Sequence, residues 1–141
     1  MAFTLDEAQR IVSIALNHGR DAGWNPLSAV VLDAGGHPIA FARSDGASPG
    51  RYAIAEAKAY GAIMLGMGGR AQMARAEAQA YFMGTVNGVF GGKVLPVPGG
   101  VLVRDLDGAV IGAVGVTGDS SDNDAEAACA GITAVGYTPE P

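Results

Sequence analysis

The sequence predicts an α+β domain: an antiparallel sheet built from two hairpins and flanked by helices, in the order helix, hairpin, helix, helix, hairpin, helix. Apolar residues recur at helical spacing through 4–23, 48–65, 70–83 and 122–136. Two pairs of β-rich runs enclose Asp33-Ala34-Gly35-Gly36 and Asp105-Leu106-Asp107-Gly108, with glycines that accept the positive φ of tight turns. Strands come in hairpins and do not alternate singly with helices, which argues against a doubly wound parallel sheet. The chain has 141 residues, read as one domain over 1–141. A chain of this length buries roughly 70% of its unfolded surface without a metal or disulfide staple.

The first helix opens with Thr4 and Glu7 at the spacing of a capping box, in which each side chain satisfies an orphan backbone N–H. Leu5, Ala8, Val12, Ala15, Leu16 and Gly19 form its apolar face, and Gly23 ends it. Ile11 and Ile14 form a second apolar edge beside that face. The hairpin over 27–45 leads to a second helix, with Ser48 as N-cap and Pro49 in its first position. "GMGG" breaks the chain before the third helix, 70–83. Residues 84–99, "GTVNGVFGGKVLPVPG", read as a long Gly/Pro loop, a length that marks a functional or interface element. The second hairpin and the final helix follow, and "YTPEP" reads as an unstructured tail.

Composition narrows the partners. Net charge is −5 and charged residues are only 16% of the chain. The acidic balance argues against nucleic acid and against an anionic membrane surface. The longest apolar stretch, "AVIGAVGV", is far short of the roughly 20 residues of a membrane span. No signal peptide is visible, so a cytoplasmic location is expected. The single cysteine, Cys129, excludes an internal disulfide and reads as a small buried hydrophobe. Low charge, the Ile11 and Ile14 edge, and apolar residues Phe90, Val94, Leu95 and Val97 all call for cover. Together they exceed the roughly 300–600 Å2 of apolar patch that a monomer tolerates. A homo-oligomer, dimer or larger, is therefore expected.

The chain lacks HExxH, GxSxG, CxxC and a phosphate-binding GxxxxGK[ST]. In "FARSDG", extended alternation puts Arg43 and Asp45 in step with Ile39 and Phe41. Arg43 reads as a guanidinium that grips a carboxylate, with Asp45 orienting it or moving a proton; the bland alternative is an ion pair that pins the turn. Lys58 shares a helical stripe with Ile54, Gly61 and Leu65, as a desolvated base, an anion anchor, or a core-edge lysine. His18 is a candidate general base or metal ligand, against the plainer role of a cation at a helix C-terminus. Ser120 and Ser121 open the last helix, where free N–H groups bind an anion or are simply capped.

Three segments, "VVLDAGGHPIAFARSDGASP" with "EAKAYGA", "LPVPGGVLVRDLDGAVIGAVGVTG" and "DNDAEAACAGI", resemble the GlcG/HbpS-like haem-binding family, also found as the carboxy-terminal domain of PduO-type proteins. The resemblance is carried most by R-x-D-G-A at 43–47, the Lys58-Ala59 pair, and the P-G-G hairpin ending in G-A-V-G-V-T-G. It implies an antiparallel sheet flanked by helices, homo-oligomers, and haem binding in some members. Family members carry adjacent acids at the start of the last helix; here Asp124 matches the first and Ala125 stands at the second.

The leading expectation is a small-ligand binding protein for haem or a related tetrapyrrole, its propionates met by Arg43 and Lys58. The alternative is a cofactor-independent isomerase, hydratase or lyase acting on a small oxo- or hydroxy-carboxylic acid. Arg43 would then hold the carboxylate, and Lys58, Asp45 or His18 would move the proton.

Overall fold

The structure, a computed structural model, describes residues 2–141. Five strands form one antiparallel sheet: β1 (Ser28–Asp33), β2 (Pro38–Arg43), β3 (Gly100–Arg104), β4 (Val110–Thr117) and β5 (Thr138–Glu140), in the order β2-β1-β4-β3-β5. Five helices surround it: α1 (Leu5–Asp21), α2 (Arg51–Leu65), α3 (Gly69–Ala78), α4 (Ala80–Val89) and α5 (Ser121–Ala134). Thus the α+β class and the two central hairpins agree with the sequence reading.

The sheet is buried on both faces, as the nearly continuous apolar runs of β1, β3 and β4 require. On one face α1 and α5 enclose Ala29, Val31, Val101, Val103, Val114 and Val116. On the other, Ala55, Ala59 and Ala62 of α2 meet Val30, Leu32, Leu102 and Ala113. Helix α2 lies unusually close to the strands. A Cβ at Gly115 would strike the Ala55 carbonyl oxygen, and one at Gly100 would strike that of Lys58. Glycine at these positions sets the helix-to-sheet distance.

Four local expectations are revised. Ile11 does not form a free edge: it is fully buried between α1 and α5, and a Cβ at Gly131 of α5 would sit 2.7 Å from its carbonyl oxygen. The burying face of α1 is rotated toward α5, which leaves Leu5 57% exposed. The third helix is two, broken at Gln79 (φ −138°, ψ 62°), and α4 continues through Val89 into the stretch read as a loop. Ser48 does not cap α2. Its carbonyl accepts the Arg51 N–H in a turn, and Gly50 is the N-cap. Finally, the tail is ordered: β5 pairs with β3, placing Glu140 opposite Leu102 and Thr138 opposite Arg104.

Helices α3 and α4 form an arm. Arg75 stacks on Phe82 across their elbow, 3.9 Å from the ring centroid. On α4, Tyr81 and Val89 are 74% and 72% exposed. Val94, by contrast, is buried within the chain, so the apolar surface of 84–99 is only partly open.

Candidate functional site

The polar residues of the fold gather where β1 begins and β2 and β4 end, beside the starts of α2 and α5. Lys58 is on the face of α2 that meets β4. Its Nζ donates to the Val116 carbonyl oxygen and to Asp124 Oδ2, each at 3.0 Å. Lys58 is 3% exposed and Asp124 1%. Burial drives the Lys58 ammonium downward in pKa and the Asp124 carboxyl upward; their mutual attraction opposes both shifts. The second Asp124 oxygen, Oδ1, accepts the Asp119 N–H at 3.0 Å, which locks the β4–α5 turn. Gly99 (φ +118°) completes the enclosure, because a Cβ there would fall 2.7 Å from Lys58 Nζ. This is a closed ion pair: Lys58 reaches no solvent-facing ligand position in this arrangement.

Arg51, two turns before Lys58 on α2, is half-buried. Its Nη1 donates to Thr117 Oγ1 at 2.9 Å and its Nε to Ser48 Oγ at 3.0 Å. In the sheet, Ser28 pairs with Arg43 on one side and with Thr117 on the other, so the three side chains share one face, the face toward α2. Phe41 lies on that face as well, edge-on to Tyr52 of α2 at 4.8 Å. Arg43 is exposed and, among the described residues, makes no ion pair with Asp45, which is also exposed. Neither the grip of Asp45 on Arg43 nor an ion pair pinning the turn is present.

His18 is elsewhere, on the outer side of α1. Its Nε2 lies 2.7 Å from Glu126 Oε2 of α5, and its ring meets Trp24 edge-on at 5.4 Å. Trp24 also lines a cavity of about 230 Å3 with Leu16, Arg20, Ser44 and Asp45. The fold thus brings His18 and Asp45 to the neighbourhood of one tryptophan, and keeps Lys58 away from both. Ser120 caps α5, its Oγ accepting the Asn123 N–H at 3.1 Å, while Ser121 begins the helix half-buried.

Sequence reading passed over Arg51, Ser28, Thr117, Trp24 and Glu126. Only the helical spacing of Arg51 and Lys58, seven residues apart on one stripe, could have pointed to the first. The pairing of Ser28 with Thr117 joins residues 89 positions apart and has no local signal. Among the described residues no group of three His, Cys, Asp or Glu side chains is arranged to hold a metal ion. No described helix is long and apolar enough to cross a membrane.

Comparison with solved structures finds the same fold. HbpS of Streptomyces reticuli, in a double-mutant form, is 28% identical, with a TM-score of 0.84 over 96% of this chain and 88% of that one. The structure described as a PduOC–haem complex is 20% identical, with a TM-score of 0.88 over the whole of both chains. ORFY of Klebsiella pneumoniae, 22% identical, superposes with a TM-score of 0.83 over 94% of this chain and 90% of that one. No curated protein matches significantly. The model of the family described as haem degrading protein HbpS-like matches residues 3–133. That match takes in every element from α1 to α5, and the chain belongs to the HbpS-like family.

Proposed function

We propose that this protein binds haem or a related tetrapyrrole, and the observation that carries the reading is the HbpS-like family match over residues 3–133. The PduOC structure of the same fold, described as a haem complex, supports it.

The residues on α1 and α5 suit the group. His18 is about one-third exposed, and Glu126 holds its Nε2. In the neutral ring, donation from Nε2 leaves the lone pair on Nδ1, the nitrogen then able to bind iron. A carboxylate on the far nitrogen is the usual way to fix the orientation and raise the basicity of a metal-binding imidazole. Trp24 supplies an apolar flank, and Arg20 beside it supplies a cation for a propionate. When bound, the iron would supply redox and ligand-exchange chemistry; His18 would hold it, and Glu126 would hold His18.

A tetrapyrrole needs most of its surface covered. The cavity beside Trp24, about 230 Å3, is too small to enclose one. The reading therefore includes a second copy of the chain that closes over this surface, in a homo-oligomer with a shared site. Titration of the purified protein with hemin, followed at the Soret band, tests it. A saturable shift at stoichiometric hemin, altered or lost in His18→Ala, is expected. No saturable shift would overturn the reading, and an unchanged shift in His18→Ala would overturn the choice of ligand.

The enzyme alternative gains no comparable support. Its proton-moving lysine is committed to Asp124 and Val116 and is shut off from solvent.

A further inference from the structure

We propose that β2 is a docking edge for the β2 of a second copy of this chain, which joins the two sheets antiparallel about an axis at Ala42. The surface is distinct from the one beside Trp24, and the proposal does not rest on the haem reading.

The backbone points to it first. β2 is an end strand of the sheet, so one side of it has no neighbouring strand. The Ser44 N–H donates to the Leu27 carbonyl oxygen, and alternation then turns the peptide groups of Ala40 and Ala42 toward β1 as well. Phe41 and Arg43 turn their N–H and C=O groups outward, away from β1. Ile39 is the extra residue of a bulge, passed over between the pairs Val31–Ala40 and Leu32–Pro38. That bulge and Pro38 guard one end of the edge, and the turn from Ser44 to Ala47 closes the other. The stretch between them is left open for pairing.

One two-fold register uses all of these outward groups. Phe41 of each copy pairs with the partner's Arg43, and Ala42 meets the partner's Ala42 on the axis. Each Phe41–Arg43 pair exchanges both of its backbone hydrogen bonds, and no outward N–H or C=O of the two residues is left over. Moving the axis to Phe41 or to Arg43 leaves some of them unpaired or sets them against the bulge or the turn.

Side chains are the second observation. In this register Arg43 lies across from the partner's Phe41, on the α2 face of the joined sheet. Phe41 is 36% exposed and edge-on to Tyr52, whose hydroxyl donates to Glu56 Oε2. The guanidinium of one copy therefore arrives beside an aromatic pair and a carboxylate of the other, and the symmetry repeats the match. Glu56 has Lys93 at 3.7 Å, too long for a hydrogen bond, so its carboxylate keeps acceptor positions for an incoming cation. This charge match selects a second copy as the occupant.

Space is the third. On the other face a groove of about 600 Å3 runs between β2 and α1, lined by Gln9, Val12, Ser13, Ala40 and Ala42. The two alanines keep it open, and the partner's β2 presents the same small side chains on this face.

Sedimentation equilibrium of the full chain at micromolar concentration should give a mass at least twice the 14.1 kDa of the chain. Arg43→Glu sets a carboxylate against the partner's Glu56 and should weaken this association about tenfold or more. In a Cys129→Ala background, Ala42→Cys should form an inter-chain disulfide under mild oxidation, because directly opposed residues of this kind have Cα atoms about 4.5 Å apart. Ser44→Cys, two residues off the axis, should not. Arg43 is exposed, so its variant decides the matter if Ala42→Cys fails to fold. A monomeric parent, which would leave the edge to an extended segment of another protein, would overturn the proposal. Association unchanged in Arg43→Glu, or cross-linking at Ser44→Cys as fast as at Ala42→Cys, would overturn it too.

Discussion

Arg51 and Lys58 leave the same stripe of α2, two turns apart, and meet opposite fates. Lys58 is enclosed, and a carboxylate and a carbonyl take its ammonium. Arg51 is half-buried and touches only hydroxyls. The difference lies in what faces each. Opposite Lys58, α5 begins with a buried aspartate; opposite Arg51, β4 ends in a threonine. A cation balanced by a buried carboxylate is part of the frame. A cation held by neutral groups keeps its charge uncompensated, as Arg51 does.

The strongest way to break this contrast is to remove the counter-charge. Asp124→Asn leaves the Lys58 ammonium buried and uncompensated, and should cost about 3–5 kcal/mol in urea unfolding. The double variant Lys58→Met with Asp124→Leu should recover most of that loss, because two apolar groups need no pairing. A loss under about 1 kcal/mol in the single variant would show that the pair is not part of the frame.

Next comes the backbone that holds Lys58 down. Gly100→Ala drives a Cβ into the Lys58 carbonyl and should cost about 1–3 kcal/mol as α2 lifts. Gly84→Ala, in α4, meets nothing within 4 Å and should instead stabilise by up to about 1 kcal/mol. Thermal unfolding of the two alanine variants separates these signs.

On the open side, Arg51→Gln should cost about 1 kcal/mol, from two hydrogen bonds weakened. Arg43→Gln should stay within about 0.5 kcal/mol of the parent, as an exposed substitution. Equal, large losses in both would make Arg43 a structural residue and erase the contrast.

The smallest expected effect is a pH wing far from this site. The Tyr137 hydroxyl bonds Glu7, which pushes the phenol up to about 12 and the Glu7 carboxyl below its usual value of 4.5. The lowered Glu7 contributes stability above pH 4.5 that fades as pH falls through its folded value. The raised Tyr137 contributes stability below pH 10 that fades as pH climbs through about 12. Both groups are near the surface, so each wing should be below about 1 kcal/mol. Tyr137→Phe should flatten both wings in unfolding measured from pH 3 to 12.

What the sequence made legible was periodic or local. The α1 capping box is present as read, with Thr4 and Glu7 each accepting the other's N–H. The two central hairpins come from alternation and glycine turns, but their register shifts at Val31/Leu32 and Val103/Arg104 do not, and Ile39, read as in step with Phe41, packs on the α1–α5 side while Phe41 faces α2. The break at Gln79 and the strand at 138–140 carry no such pattern, because tertiary partners decide them: β3 recruits the tail, and the Arg75–Phe82 stack fixes the elbow. Lys58 stood out as a lysine on an apolar stripe, but its partner lies 66 residues away. Arg51 looked like any first-turn arginine, and Ser28 like the polar start of a strand. Only strand pairing places them with Thr117.

The arm of α3 and α4 has a consequence for how the molecule opens. The sheet's amides are sandwiched between helices on both sides, whereas α4 rests chiefly on α3 and holds Tyr81 and Val89 toward solvent. Few buried contacts would be lost if the arm detached, so it should behave as a separate cooperative unit. In native-state hydrogen exchange, amides over 80–89 should exchange through a low-energy local opening, while those of β4 exchange only when the whole chain unfolds.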